Sequence, residues 1–246
     1  MLIGVVLMFI MPETGFHPTP REDRNTWQHM WHAFRQGLQA VRSQPRLMNI
    51  VFIGLFYGLY SEGFDRLWVK HLLDKFELPV LFGHNQVAFF AVLKVAATIL
   101  TILTVRLVEK RVDATSSLAI GRAVLVVTGI IAVALIGFAL SSWLAVSLGL
   151  YLVISILRNV QIPLQTAWIN QKLDSQVRAT VHSMFGQVDA IGQVLGGPLV
   201  AAIDSVGSAV ASLVASGLLL TPALFFTGRA NLQSRNEVEA EPTPAD

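Results

Sequence analysis

The sequence predicts an all-α fold, a polytopic membrane bundle of six transmembrane helices arranged as two three-helix repeats. A truncated N-terminal helix and an interfacial amphipathic helix precede the bundle. Of the 246 residues, 53% are hydrophobic and 14% are charged, whereas soluble domains carry about 25% charged residues. The hydrophobic residues come in blocks of about twenty, enough for a helix to cross a bilayer core of roughly 30 Å. Runs such as VLVVTGIIAVALIGFAL do not alternate with polar residues, which argues against transmembrane β-strands.

Residues 1–11 contain an apolar run that is too short to cross a bilayer, because a spanning helix needs about 20 residues. We interpret this run as the remnant of a preceding transmembrane helix. A signal-peptide core is the alternative, but the run lacks a basic segment before it and a small-residue cleavage site after it. If the run is the remnant of a longer helix, Met1 is an artificial or mis-assigned start.

Residues 12–46 are predicted to form a cytoplasmic linker that contains an amphipathic helix. Apolar side chains recur every three or four positions and share one face: Trp27, Met30, Trp31, Phe34, Leu38 and Val41. The opposite face carries His29, His32, Arg35, Gln36, Gln39 and Arg42. Tryptophans opposite a basic face favour a helix lying in the membrane interface, with packing on a soluble partner as the alternative. The two histidines have a spacing that metals can use, but no third ligand is nearby, so a solvated face is favoured.

Six complete spans follow in a domain that covers residues 47–228. Their predicted bounds are 47–69, 86–106, 117–140, 143–168, 179–203 and 207–228. The Glu- and Pro-rich residues 229–246 lack apolar periodicity and are predicted to form a disordered tail. Loop lysines and arginines lie almost entirely on the side of the linker and the C-terminus, with only Lys70 and Lys75 opposite. This asymmetry predicts a protein of the cell (plasma or inner) membrane whose C-terminus is cytoplasmic.

Polar and ionisable residues inside the spans are the candidates for function, because such groups are costly in a membrane and mark pathways. The predicted substrate or proton pathway comprises Glu62, Lys94, Arg158, Asn159, Gln187 and Asp189. By their depth in the spans, Lys94 is a plausible partner of Glu62, and Arg158 of Asp189. The alternative is that these charges are static links between helices.

Asp65 and Arg66 lie nearer the outer surface than the pathway residues. For these two residues, a gate or a structural ion pair is a better interpretation than contact with substrate.

The intramembrane charges divide the six spans into two similar triplets. In each triplet two spans carry buried polar groups and the third is almost purely apolar, as expected of a 3+3 repeat whose third helix faces lipid. Glycines at four-residue spacing predict faces on which helices approach closely. They are Gly54 and Gly58 in the first span, and Gly192 and Gly196 in the fifth.

The sequence contains no Walker-type phosphate loop, no HExxH, no GxSxG and no cysteine. A membrane-embedded enzyme is therefore disfavoured, and we expect no cofactor and no metal site. The net charge of +2 comes from basic residues scattered among loops, which does not favour nucleic acid as a partner.

Three stretches carry a resemblance to a known family. The sequence MPETGF closes a helix before a long basic loop, VRLVEKRVD forms a short basic loop, and the last hairpin reads WINQKLDSQVRATVHSMFGQVDAIGQVLGGP. Together with the six spans, they resemble the C-terminal half of a drug-efflux-like transporter of the major facilitator superfamily. VRLVEKRVD departs from the family's loop motif, since its glycine and its Asp-Arg order are missing. The resemblance implies that spans one and four line a central cavity, two and five form lateral interfaces, and three and six are peripheral.

The resemblance also implies a function. The complete protein would be a secondary active transporter, an antiporter that moves small organic compounds outward by ion- or proton-coupled alternating access. Its partners would be the small-molecule substrate, the lipid bilayer and the missing N-terminal six-helix half. A six-span membrane partner subunit that does not itself transport, or an inactive fragment, is the alternative.

Overall fold

The computed structural model describes residues 45–79, 86–112, 116–171 and 175–240, together with helical positions between 31 and 43. From residue 45 onwards the described chain forms α1 (Pro45–Lys75), α2 (Val87–Arg111), α3 (Ser117–Leu140), α4 (Leu144–Asn170), α5 (Ser175–Val206), α6 (Ala209–Leu218) and α7 (Thr221–Ala240). The described residues contain no β-strand. The predicted helical membrane bundle is confirmed.

Five of the predicted spans correspond to stretches that are long and apolar enough to cross a membrane. These are Leu47–Lys75, Val87–Arg111, Ser117–Leu140, Leu144–Asn170 and Ala209–Arg235. The remaining predicted span lies in α5, whose 32 residues are long enough to cross. Polar residues such as Gln187, Asp189 and Gln193 interrupt its apolar residues. This helix is therefore not among the five apolar stretches named above.

The sixth predicted span, 207–228, is interrupted between α6 and α7. Pro222 has no N–H and therefore cannot donate to the carbonyl of Leu218, as a continuous helix would require. That carbonyl instead accepts a hydrogen bond from the Thr221 hydroxyl at 2.8 Å. The Leu220 N–H donates to Gly217 O at 3.2 Å, which tightens the chain at the break.

Helix α7 continues to Ala240, which corrects the prediction that the chain is disordered from residue 229 onwards. A segment without apolar periodicity can still be helical where a neighbouring bundle provides a packing surface. Ala230, Asn231 and Ser234 are buried, so this polar helix still packs on the bundle. The amide of Asn49 in α1 also donates to Gln233 at 3.0 Å. Residues 241–246 lie outside the described residues.

Helix α1 packs along α5 and also contacts α6 and α7, while α3 packs against α4, α6 and α7, and α2 packs against α4. Glycines make the α1–α5 crossing close. A β-carbon on Gly58 would lie 2.0 Å from the Asp189 carbonyl oxygen, and one on Gly192 would lie 2.3 Å from the Leu55 carbonyl oxygen. The glycine faces predicted for these two spans therefore meet each other, backbone against backbone.

At the opposite end of the bundle from the linker, α1 satisfies the last turn of α3. His71 Nε2 lies 3.1 Å from the Phe138 carbonyl oxygen, and Lys75 Nζ donates to the Ala139 carbonyl oxygen at 3.1 Å. The last carbonyls of a helix lack partners within the helix, and a cation is favourable there. Lys70 adds an ion pair with Asp204 of α5 at 2.7 Å. Hydrogen bonds and an ion pair from α1 thus connect the C-terminal ends of α1, α3 and α5.

The predicted linker helix is described only in part. The described positions between 31 and 43 are helical, and Val41 on the predicted apolar face is buried in the core. Trp31 is exposed, with the Arg35 guanidinium 5.2 Å from its ring centroid. The remnant helix at 1–11 and the residues Trp27, His29, Met30, Phe34 and Gln36 lie outside the described residues.

Candidate functional site

A cavity of about 640 Å³ lies between α1, α2, α4 and α5. All of its lining residues that the structure describes belong to these four helices, and α3, α6 and α7 lie outside it. This agrees with the sequence, in which spans one, two, four and five carry the polar groups and spans three and six are almost purely apolar. A volume in this range is typical of small-molecule sites.

Four of the predicted pathway residues line this cavity, namely Lys94, Arg158, Asn159 and Asp189. Asp65, predicted as part of a gate or structural ion pair, lines it as well. Glu62, Arg66 and Gln187 are not among its lining residues. Gln187 is exposed on α5, and Glu62 and Arg66 lie on the side of α1 that faces Gly197 of α5.

Arg158 of α4 forms a bidentate ion pair with Asp65 of α1. Its Nη1 lies 2.5 Å from Asp65 Oδ1 and its Nη2 lies 2.7 Å from Oδ2. The predicted pair of Arg158 with Asp189 is therefore wrong, because the Asp189 carboxylate accepts a hydrogen bond from Gln193 at 2.8 Å instead. Counting residues along a helix gives the depth of a charge but not the direction in which it points.

The predicted pair of Lys94 with Glu62 is also replaced by other contacts. Glu62 forms an ion pair with Arg66, four residues on in the same helix. The Lys94 ammonium lies 5.3 Å from the centroid of the Trp68 ring, a cation–π distance. Asp65 and Arg66 thus belong to two different ion pairs.

An aromatic wall, formed by Phe64 and Trp68 of α1 and Tyr151 of α4, was missed in the sequence. The Trp68 and Tyr151 rings stack with centroids 4.5 Å apart, and Phe64 stacks on Tyr151 at 6.0 Å. The Arg158 guanidinium lies 5.3 Å from the Phe64 ring. The signal in the sequence was the aromatic stripe Tyr57, Tyr60, Phe64 and Trp68, which recurs at helical spacing on the face that also carries Asp65.

A buried polar cluster lies between α1, α3 and α4. The Gln161 amide donates to the Tyr57 hydroxyl and, at 3.2 Å, to Thr128 Oγ1. The Tyr57 hydroxyl is also hydrogen-bonded to Thr128 Oγ1, and the Thr128 hydroxyl donates to the Val124 carbonyl oxygen at 2.7 Å. All three side chains are buried, so the cluster holds α3 against the cavity helices α1 and α4.

At the cavity end nearest the loop between α4 and α5, His182 Nε2 lies 2.7 Å from Asn170 Oδ1. This contact links two helices that otherwise touch little. Within the part of the chain that the structure describes, no group of three His, Asp or Glu side chains could hold a metal ion.

No protein-family model matches the sequence, and no curated protein matches it at a significant level. A solved structure that matches is that of a bacterial homolog to the human lysosomal transporter Spinster, in an inward-facing and unoccupied conformation. The TM-score is 0.58 at 19% sequence identity, over 99% of this chain. The match shows that this chain shares the helical membrane-bundle fold of that structure. The chain spans 58% of the length of that structure.

Proposed function

We propose that this chain forms the C-terminal half of a secondary active transporter of the major facilitator type, located in the cell membrane. The complete protein exports small organic compounds as an antiporter, by ion- or proton-coupled alternating access. The observation that carries the proposal is the cavity of about 640 Å³ between membrane-spanning helices, lined by Asp65, Lys94, Arg158 and Asp189. Charges are kept inside a membrane at a free-energy cost, which is consistent with their use in a transport pathway. The fold likeness to a transporter supports the same function.

Asp189 is the residue we propose for coupling. Two carboxylates are found among the described lining residues. Asp65 accepts hydrogen bonds from Nη1 and Nη2 of Arg158, whereas Asp189 accepts one from the neutral Gln193 amide. Asp189 is also close enough to interact electrostatically with Arg158. Protonation of Asp189 would remove the second negative charge that acts on Arg158. Because such a change alters the interaction between α1, α4 and α5, it biases the helices toward one conformation.

The missing N-terminal half is the partner we propose for the open side of the bundle. Much of α2 faces away from the other helices, and its apolar side chains Val92, Val95 and Ile99 are exposed. In the proposed complete protein, lipid and the second half share this surface.

The test begins with the DNA upstream of the Met1 codon. If it encodes six further spans, the completed protein is expressed and reconstituted, and efflux of fluorescent organic probes is measured under an imposed pH gradient. We expect probe-dependent flux that Asp189→Asn abolishes at normal expression. Asp74→Asn, at the exposed end of α1 and outside the cavity lining, is the matched control and should retain flux.

Retained flux in Asp189→Asn would remove that residue from the coupling mechanism. A completed protein that is folded but moves none of the probes under any gradient would contradict the transporter proposal and favour the non-transporting partner subunit. A clean promoter and ribosome-binding site before Met1 would make the six-span chain a product in its own right.

A further inference from the structure

We propose that the cavity binds organic anions with an apolar body, and that Lys94 holds the anionic group. The inference deepens the proposed function, on which it rests for its transport role, by giving the chemical class of the substrate. Binding itself can be measured on the chain alone.

Among the described residues, Lys94 is the cavity cation that lacks a counter-ion. Among the described residues, its ammonium has no carboxylate within ion-pair distance and donates no hydrogen bond, and its contact is the face of the Trp68 ring at 5.3 Å. Trp68 in turn is fixed by Tyr151, which stacks on it at 4.5 Å. An aromatic face offsets part of the cost of a cation in a membrane-spanning helix, but it leaves the ammonium without a hydrogen-bond acceptor among the described residues. An anionic ligand group would satisfy them.

The second cation of the cavity is already neutralised. Arg158 donates from Nη1 and Nη2 to the two carboxylate oxygens of Asp65, at 2.5 and 2.7 Å. Asp189 adds a second negative charge that acts on Arg158. An incoming anion at Arg158 would have to displace a bidentate carboxylate and would approach Asp189. The electrostatics therefore direct the anionic group to Lys94.

Apolar side chains that line the same cavity as Lys94 provide the surface for the rest of the ligand. Ile102 of α2 and Ile162 of α4 both line the cavity, and they are 51% and 63% exposed respectively. Ala97, one turn along α2 from Lys94, adds a small side chain to the lining. A cavity with a cationic contact point and apolar lining fits a ligand with an anionic end and an apolar remainder, whereas an inorganic anion would leave the apolar lining without contact.

The experiment uses the purified chain in detergent micelles and equilibrium dialysis against three probes of one shape. They are 2-naphthoate, its neutral isostere 2-naphthamide and the cationic 2-naphthylmethylamine, with empty micelles as the blank. We expect the wild-type chain to bind 2-naphthoate about tenfold or more tightly than 2-naphthamide, since hydrogen bonds to charged groups are the stronger ones. Lys94→Gln should remove this preference and Lys94→Arg should keep most of it. Lys110→Gln, on the exposed last turn of the same helix, is the matched control and should leave the preference unchanged.

Equal binding of the carboxylate and the amide, a preference for the amine, or no binding of any probe would overturn the proposal. So would a carboxylate preference that survives in Lys94→Gln. The comparison of probes needs only the wild-type chain, so it decides the matter even if a variant fails to fold. Failure here is distinct from failure of the transporter proposal, which the flux measurement on Asp189→Asn tests without reference to the charge of the substrate.

Discussion

Arg158 and Asp65 face each other across the α1–α4 interface in a two-point ion pair, with N–O distances of 2.5 and 2.7 Å. The Arg158 side chain is 24% exposed and that of Asp65 is 53% exposed, so water reaches the carboxylate more than the guanidinium. A two-point contact fixes the rotation of both helices as well as their separation, because both hydrogen bonds form only in one relative orientation. The pair therefore sets the geometry of the cavity wall.

The first prediction concerns this pair. A double-mutant cycle with Arg158→Met and Asp65→Asn should give a coupling energy of about 1 kcal/mol or more, since directly bonded residues couple by about 0.5–3 kcal/mol. The cycle of Arg158→Met with Asp189→Asn should give a smaller coupling energy, because Asp189 acts on Arg158 electrostatically and not through a direct ion pair. The free energy of unfolding in mixed micelles, followed by circular dichroism, provides both numbers. If the Asp189 cycle gave the larger coupling, Asp189 and not Asp65 would be the partner of Arg158.

The second prediction concerns the glycines at the α1–α5 crossing. Gly192→Ala should destabilise the protein by about 1–3 kcal/mol, because its β-carbon would lie 2.3 Å from the Leu55 carbonyl oxygen and backbone cannot yield there. Gly186→Ala, in the same helix, meets nothing within 4 Å and should be neutral or slightly stabilising, as alanine is the better helix former. Thermal unfolding of both variants tests the difference. Equal stability of the two would show that the helices do not cross at Gly192.

The third prediction concerns the buried polar cluster. Gln161→Leu should lower the free energy of unfolding by about 0.5–2 kcal/mol, because it removes the hydrogen bonds to Tyr57 and Thr128 inside the membrane. Gln165→Leu, one turn further along α4, is the matched control. Its Nε2 is buried without a hydrogen-bond partner, so its replacement should be neutral or stabilising. The opposite ranking of the two variants in the same unfolding measurement would contradict the cluster.

The fourth prediction concerns topology, and the lack of native cysteines makes it simple to test. Glu77→Cys, on the exposed segment after α1, should react with a membrane-impermeant maleimide in intact cells. Thr243→Cys, near the C-terminus, should react only after permeabilisation, because the distribution of lysines and arginines favours a cytoplasmic C-terminus. Labelling in the reverse pattern would invert the predicted orientation.

The helical class and most of the span bounds were readable from the sequence. Lipid offers the backbone no hydrogen-bond partners, so an apolar block of sufficient length has to be a helix. The predicted 117–140 coincides with α3, and the predicted 143–168 is close to α4. The close-packed glycines were also predictable, because small residues at four-residue spacing necessarily share one helix face. The break at Leu219 was also predictable from Pro222, which cannot donate a backbone hydrogen bond. Hydropathy, from which the span 207–228 was predicted, does not register this effect.

The sequence by itself thus determined which segments are long and apolar enough to cross a membrane and where along its helix each charge lies. Only the tertiary structure decided which charges meet. Depth follows from the constant rise per residue of a helix, whereas pairing depends on the rotation of each helix about its axis and on the crossing set by contacts such as that of Gly58 with Asp189. Those contacts turn Asp65 toward Arg158, leave Glu62 to Arg66 and place Lys94 over Trp68. The ion pairs are a consequence of packing, which acts between segments far apart in the chain.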